Sequence, residues 1–211
     1  MRTLLAALTL TAVIAAAPAA AQPDATWKSH QTPGFSVELP SSWFDASKDR
    51  AKLLAEVRRL YADDAKLAAI MDGMLAAGKG NAGVKMIAFD LAPASLRTGF
   101  ATNLNVVREP TLLPLAAWRD GALKALSAMS FVKQPIWSQA VRLGAGKAVR
   151  FRYHARFTVH GKPLETAITQ YGIVQDGSAH VLTYTTLPKL DTGYRADFER
   201  SARSFRLVKS S

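Results

Sequence analysis

The residues best suited to chemistry in this sequence lie in one short stretch, AVRFRYHARFTVHGKP, residues 148–163. A period of two puts Val149, Phe151, Tyr153, Ala155, Phe157 and Val159 on one side of a strand and Arg150, Arg152, His154, Arg156, Thr158 and His160 on the other. A row of guanidinium groups can grip phosphate or carboxylate in two-point contacts. Lys147 and Lys162 would extend such a site at either end. The sequence leaves three roles open for this face. It can be a solvated strand surface whose arginine stems cover Tyr171 and Ile173. It can be an anion-binding surface, offset in the hairpin by Glu165 alone. Or it can lie under a helix whose Asp and Glu side chains pair the arginines.

Other candidate chemistry fails on spacing. GMLAAGKG, residues 73–80, fits the first seven positions of a phosphate-binding loop, but Gly80 stands where a Mg²⁺-binding Ser or Thr is needed and the stretch follows a helical pattern. GAGKAV, from Gly144, lacks the third glycine of a dinucleotide loop and reads as a turn. The histidines are His30, His154, His160 and His180. His154 and His160 share a strand face, but six residues of strand separate them by about 20 Å, too far for two ligands of one ion. Without a cysteine or a Gly-x-Ser-x-Gly elbow there is no marked nucleophile, and Asp63 and Asp64 diverge on a helix rather than forming an acid–base couple. No catalytic residue, metal ligand or cofactor is expected.

The N-terminus supplies a compartment. Arg2, an apolar run from Leu4 to Ala17 and the small residues Ala19, Ala20 and Ala21 have the order of a cleavable export signal, and the run is shorter than the ~20 residues a membrane span needs. The expected division is a signal peptide over residues 1–21 and a single domain over residues 22–211, periplasmic or secreted, with no transmembrane span in the mature chain. The 211-residue chain has 27 Lys and Arg against 16 Asp and Glu, a formal charge of +11, and loss of Arg2 with the signal leaves about +10. That balance favours anionic surfaces, and the compartment argues against nucleic acid as a partner. With no cysteine, packing alone must hold the domain.

The elements that must position the arginines follow from patterning. GFSVELPSSWFD alternates Phe35, Val37 and Leu39 before Pro40 and reads as the first strand, with Trp43 and Phe44 folded back. A long helical stretch follows, with apolar positions Leu53, Val57, Leu60, Leu67, Ile70, Met71 and Met74 at threes and fours. VKMIAFDL and TNLNVV read as strands around a turn at residues 93–99. A helix carrying Leu115, Trp118, Ala122, Leu123 and Leu126 comes next, then the strand PIWSQAVRL. The arginine strand is expected to turn at Gly161-Lys162 and return as LETAITQYGIVQ, with Leu164, Thr166, Ile168 and Val174 on the apolar side and Glu165, Ala167, Thr169, Tyr171 and Ile173 beside the arginines. A turn at Asp176-Gly177 leads to AHVLTYTTL, and Tyr194, Phe198 and Ala202 mark the apolar face of a closing helix. Hairpins with helices between them predict an α+β fold, a mostly antiparallel β-sheet flanked by helices.

The order of GFSVELPSSWFD, TNLNVVRE, VLTYTT and YRADFERSARSFRL resembles that in the PsbP/DcrB-like family, over most of residues 27–208. The resemblance implies a PsbP-like α/β/α sandwich, a shape shared with a Ran-binding nuclear import factor. It also implies a non-catalytic binding or assembly module, since family members serve as photosystem extrinsic subunits, envelope lipoproteins or chaperones of secreted effectors. This chain departs from the lipoprotein members in having no cysteine, and no functional residue carries over.

The expected function is therefore an exported, non-enzymatic module of the bacterial envelope. It would engage an anionic envelope component or a protein partner through its sheet face or an adjoining cleft, with Arg150, Arg152, His154, Arg156, Lys147 and Lys162 as candidate contacts. Two alternatives stand beside it: an envelope hydrolase or transferase using His154, His180 and nearby carboxylates, and a chaperone-like binder of hydrophobic segments or lipid.

Overall fold

The computed structural model describes residues 26–47, 51, 53, 55, 59, 83–96, 98, 100–159 and 162–208. In chain order the strands are β1 (Trp27–Thr32), β2 (Phe35–Pro40), β3 (Trp43–Asp45), β4 (Val84–Asp90), β5 (Asn103–Pro110), β6 (Val132–Leu143), β7 (Gly146–Val159), β8 (Lys162–Gln175), β9 (Ser178–Thr186) and β10 (Arg206–Leu207). A single helical turn α1 (Pro93–Leu96) precedes β5, α2 (Leu115–Ser127) precedes β6, and α3 (Pro188–Ser204) precedes β10.

Seven strands form one sheet in the order β3-β4-β5-β9-β8-β7-β6, and β1, β2 and β10 form a second, three-stranded sheet. Neighbouring strands in both run antiparallel. The expected fold class is borne out, as an α+β sandwich with helices against both faces of the large sheet. The long β7–β8 hairpin lies next to its β6 edge.

Each face has its own apolar core. On one, Phe35, Val37 and Leu39 of β2 join Phe198 and Ala202 of α3 over Leu104, Val106, Tyr171, Ile173, Leu182 and Tyr184. Tyr184 stacks on Phe198 at 4.8 Å between ring centroids, and Tyr194 also stacks on Phe198, at 5.6 Å. On the opposite face Trp118, Ala122 and Leu126 of α2 cover Val149, Phe151, Tyr153, Ala155 and Ile168. In α2 and α3 the apolar stripes read from helical spacing are thus the stripes that pack, because only those positions can bury apolar area without burying charge.

Three local readings are corrected. GFSVELP is the second strand rather than the first. β1 escapes pattern reading because it is the outer strand of the small sheet, and its polar WKSHQT stretch buries no side chain fully. The β7–β8 turn moves by one residue, since Val159 pairs with Lys162 and leaves positions 160 and 161 between them, outside the described residues. The face assignments survive, because moving the turn by one residue shifts partners by two and preserves the alternation. Residues 93–99, expected as a turn, include the helical turn α1.

Of the long helical stretch after β3, Ala51, Leu53, Ala55 and Arg59 are described; all are helical, and Leu53 is buried against Phe89, Leu91 and Leu96. The rest of that stretch, with the glycine-rich segment 73–80 and Asp63-Asp64, lies outside the described residues, as do the N-terminal apolar run and His160.

Candidate functional site

From Val149 to Phe157, β7 alternates apolar residues with Arg or His, interrupted by no proline or glycine. Gly146 opens it at φ 121°, a conformation that suits glycine at the end of the two-residue β6–β7 connection. Across to β8, Arg150 faces Tyr171, Arg152 faces Thr169, His154 faces Ala167 and Arg156 faces Glu165. Across to β6, Gln139 faces Arg150 and Trp137 faces Arg152. The pleat therefore sets Trp137, Gln139, Arg150, Arg152 and His154 side by side on one face.

That face is neither fully solvated nor fully closed. The closing helix α3 lies over part of it and supplies carboxylates. Arg150 pairs with Glu199 and also donates to Gln139 Oε1 at 2.6 Å. Arg152 lies 3.6 Å from Asp191, whose carboxylate also accepts from Arg195 at 2.6 Å, one helical turn along. Helix acids do pair the arginines, the third of the roles left open by the sequence. What the helix leaves uncovered is a cleft of about 430 Å³, bounded by Trp137 and Gln139 of β6, Arg150, Arg152 and His154 of β7, Ala167 of β8, and Asp191 and Arg195 of α3. Three guanidinium groups and one carboxylate line it, so it keeps a positive excess. Trp137, 58 % exposed, stands at its margin.

The candidate residues separate accordingly. Arg150, Arg152 and His154 meet in the cleft. Arg156 lies further along β7, mostly exposed, where it pairs with Glu165. Lys133 reaches the same Glu165 carboxylate, and these two cations, Lys133 first, hold its pKa down to about 2. Lys147 is exposed on the alternation of Val149, away from the arginine side. Lys162 takes the register position opposite Val159, and its side chain lies outside the described residues.

Sequence reading missed Trp137, Gln139, Asp191 and Arg195. The last two carried a local signal, an acid and an arginine four apart on a helix, which ordinarily marks a solvated face. Nothing in the sequence said that this helix would turn Asp191 toward β7.

The histidines do not form a catalytic pair. His154 sits opposite Ala167 and His180 opposite Ile173, six positions apart along β8 and hence about 20 Å. His180 is buried against the Phe205 ring, 6.0 Å away. Burial above all, with Arg108 adding to it, lowers its pKa to about 4. His30 lies 3.8 Å from Asp45, in another part of the fold. Among the described residues no three His, Asp or Glu side chains come together as a metal site, and no helix is long and apolar enough to cross a membrane.

No family model matches the chain, and no curated protein does. Solved structures do. The Ran-binding protein Mog1p of Saccharomyces cerevisiae is similar with a TM-score of 0.51 at 9 % identity, over 88 % of this chain and 97 % of its own. The PsbP protein CyanoP of Synechocystis sp. PCC 6803 aligns at 0.49 and 12 % identity, over 88 % of this chain and 95 % of its own. LpqN of Mycobacterium tuberculosis, described as involved in cell envelope biogenesis, aligns at 0.48 and 12 % identity, over 88 % and 91 %. The fold expected from the strand order is borne out: over most of its length this chain shares the sandwich of a Ran-binding protein, the shape that the resemblance implied.

Proposed function

We propose that this chain is an exported, non-enzymatic binding module of the bacterial envelope, whose cleft between α3 and β6–β8 receives an anionic group of its partner. One observation carries the reading: Arg150, Arg152 and Arg195 converge on a single open cleft whose lining holds one carboxylate, Asp191. Arg150 is matched by Glu199. Arg152 and Arg195 share Asp191, which leaves guanidinium donors to spare for an incoming phosphate or carboxylate. The export-type N-terminus and the basic charge support an anionic partner outside the cytoplasm.

The test is a titration of the purified protein with pyrophosphate and with citrate, followed through the arginine Nε–H resonances. Saturable shifts of Arg152 and Arg195 that weaken with salt and vanish in Arg195→Gln support the cleft as the binding site. Uniform, non-saturating shifts across all arginines defeat it.

A further inference from the structure

The cleft opens beside β6, which ends the seven-stranded sheet and, among the described residues, is paired on one side only, to β7. A strand so placed points half of its backbone N–H and C=O groups away from its neighbour, a ready template for another extended chain. The first part of β6 is poorly suited to this. Pro135 removes a donor there, and the pairing with β7 is irregular between Lys133 and Trp137. From Trp137 to Leu143 the register is regular, and that segment contains no proline. Trp137, Ser138, Gln139, Ala140 and Arg142 along it are exposed.

Charge decides what could pair there. β6 and β7 carry Lys133, Arg142, Lys147, Arg150, Arg152 and Arg156 and not one Asp or Glu. A second copy of this edge would bring another set of cations and no acid beside the first, and that like-charge repulsion disfavours self-pairing. An extended segment with acids at alternate positions meets the opposite situation. Its alternation would turn every second side chain toward the face that holds Trp137, Gln139 and the arginine cleft.

We infer that the Trp137–Leu143 edge of β6 is a docking strand for an extended acidic peptide segment, which adds to the sheet and delivers a carboxylate into the Arg150–Arg152–Arg195 cleft. The inference rests on the anion-binding reading of that cleft and adds to it the class of partner and the backbone contact. Main-chain hydrogen bonds to β6 supply register, and the guanidinium groups select acid over neutral side chains.

The experiment uses a blocked peptide of alternating glutamate and valine, equal in length to the 137–143 segment, and two relatives N-methylated at one or the other set of alternate amides. Binding to the purified protein is read by tryptophan fluorescence, with Trp137→Phe as the control, and by amide hydrogen exchange. The expected result is saturable binding of the parent with slowed exchange over residues 137–143. One N-methylated peptide should lose at least about tenfold in affinity while the other binds as the parent does, because only one set of amides faces β6. Equal binding of all three, with arginine Nε–H shifts but no edge protection, overturns strand addition and leaves the cleft reading standing. Failure of the parent peptide while pyrophosphate still shifts Arg152 and Arg195 has the same meaning. Failure of peptide and pyrophosphate alike removes both readings. Sedimentation with phosphatidylglycerol vesicles in the absence of any response to the peptide overturns the peptide and assigns the basic edge to a lipid surface.

Discussion

The Asp191 carboxylate stands 3.6 Å from the Arg152 guanidinium across the gap between α3 and β7, and it is also held by Arg195. One acid thus serves two cations and, among the described residues, is the only negative charge lining the cleft. An incoming anion must compete with it. Asp191→Asn keeps the shape and removes the competitor, so pyrophosphate affinity should rise about fivefold, equivalent to about 1 kcal/mol. Stability should fall by a similar amount, because Asp191 also sits in the first turn of α3, where a negative charge favours the helix. Titration calorimetry beside thermal unfolding checks both signs, and a loss of affinity would show that Asp191 organises the site instead of occupying it.

The opposite face offers a sharper test of packing. Trp118 of α2 lies against the bare backbone of Gly172 in β8, where an added Cβ would fall 2.1 Å from the indole Cζ3. The ring has little room to retreat, because its Nε1 donates to the buried Glu109 Oε1 at 3.0 Å and its other neighbours include Phe151. Gly172→Ala should therefore cost about 1–3 kcal/mol, lowering Tm by roughly 2–4 °C per kcal/mol in a chain of this size. Gly193→Ala is the contrasting case. That residue lies inside α3 with open space around its Cα, so alanine should stabilise by up to about 1 kcal/mol through helix propensity.

These two faces show what a sequence of this kind reveals and what it hides. The alternation from Val149 to Arg156 identifies both sides of β7 and, through the hairpin, the partners on β8, because the side-chain period of a strand follows from backbone geometry. The helical stripes Trp118–Ala122–Leu126 and Tyr194–Phe198–Ala202 are legible for the same reason. Which face each helix covers is not a local property. Asp191, Arg195, Glu199 and Arg203 repeat at intervals of four, a pattern that ordinarily marks a solvated helix surface, yet Asp191 and Glu199 reach the β7 arginines. The fate of Arg150 and Arg152 was settled by a helix some forty residues downstream. Trp137 shows the converse: its type suggests burial, and its place on an edge strand leaves it exposed.

The N-terminal reading can be checked without reference to the fold. Expression of the full chain in a bacterium with an intact secretion pathway should yield a periplasmic or secreted product whose first residue is Gln22, because Ala19, Ala20 and Ala21 supply the small residues that signal peptidase requires. N-terminal sequencing decides it. A cytoplasmic product that retains Arg2 would remove the envelope from the functional reading, while leaving the cleft chemistry intact.

His180 gives the fold a dependence on pH. Its ring is buried on β9 against Phe205, faces Arg108 of β5 and Ile173 of β8, and has Asp176 nearby as an opposing charge. Burial first and Arg108 second lower its pKa from 6.5 to about 4. The unfolded chain therefore binds more protons than the folded one between these values, and stability must fall as pH falls through that window. Well above pH 6.5 both states hold the ring neutral, so the contribution is constant there. Between pH 6.5 and pH 5, before most carboxylates titrate, the loss should be on the order of 1 kcal/mol once residual screening is allowed for. In His180→Leu, which keeps an apolar neighbour for Phe205 and removes the titration, unfolding measured by urea at the two pH values should differ by less than half of the wild-type change. An equal change in both proteins would show that the acid sensitivity arises elsewhere; Asp197 has the wrong sign to supply it, because burial and Asp90 raise its carboxyl and a raised carboxyl favours the folded chain as pH falls.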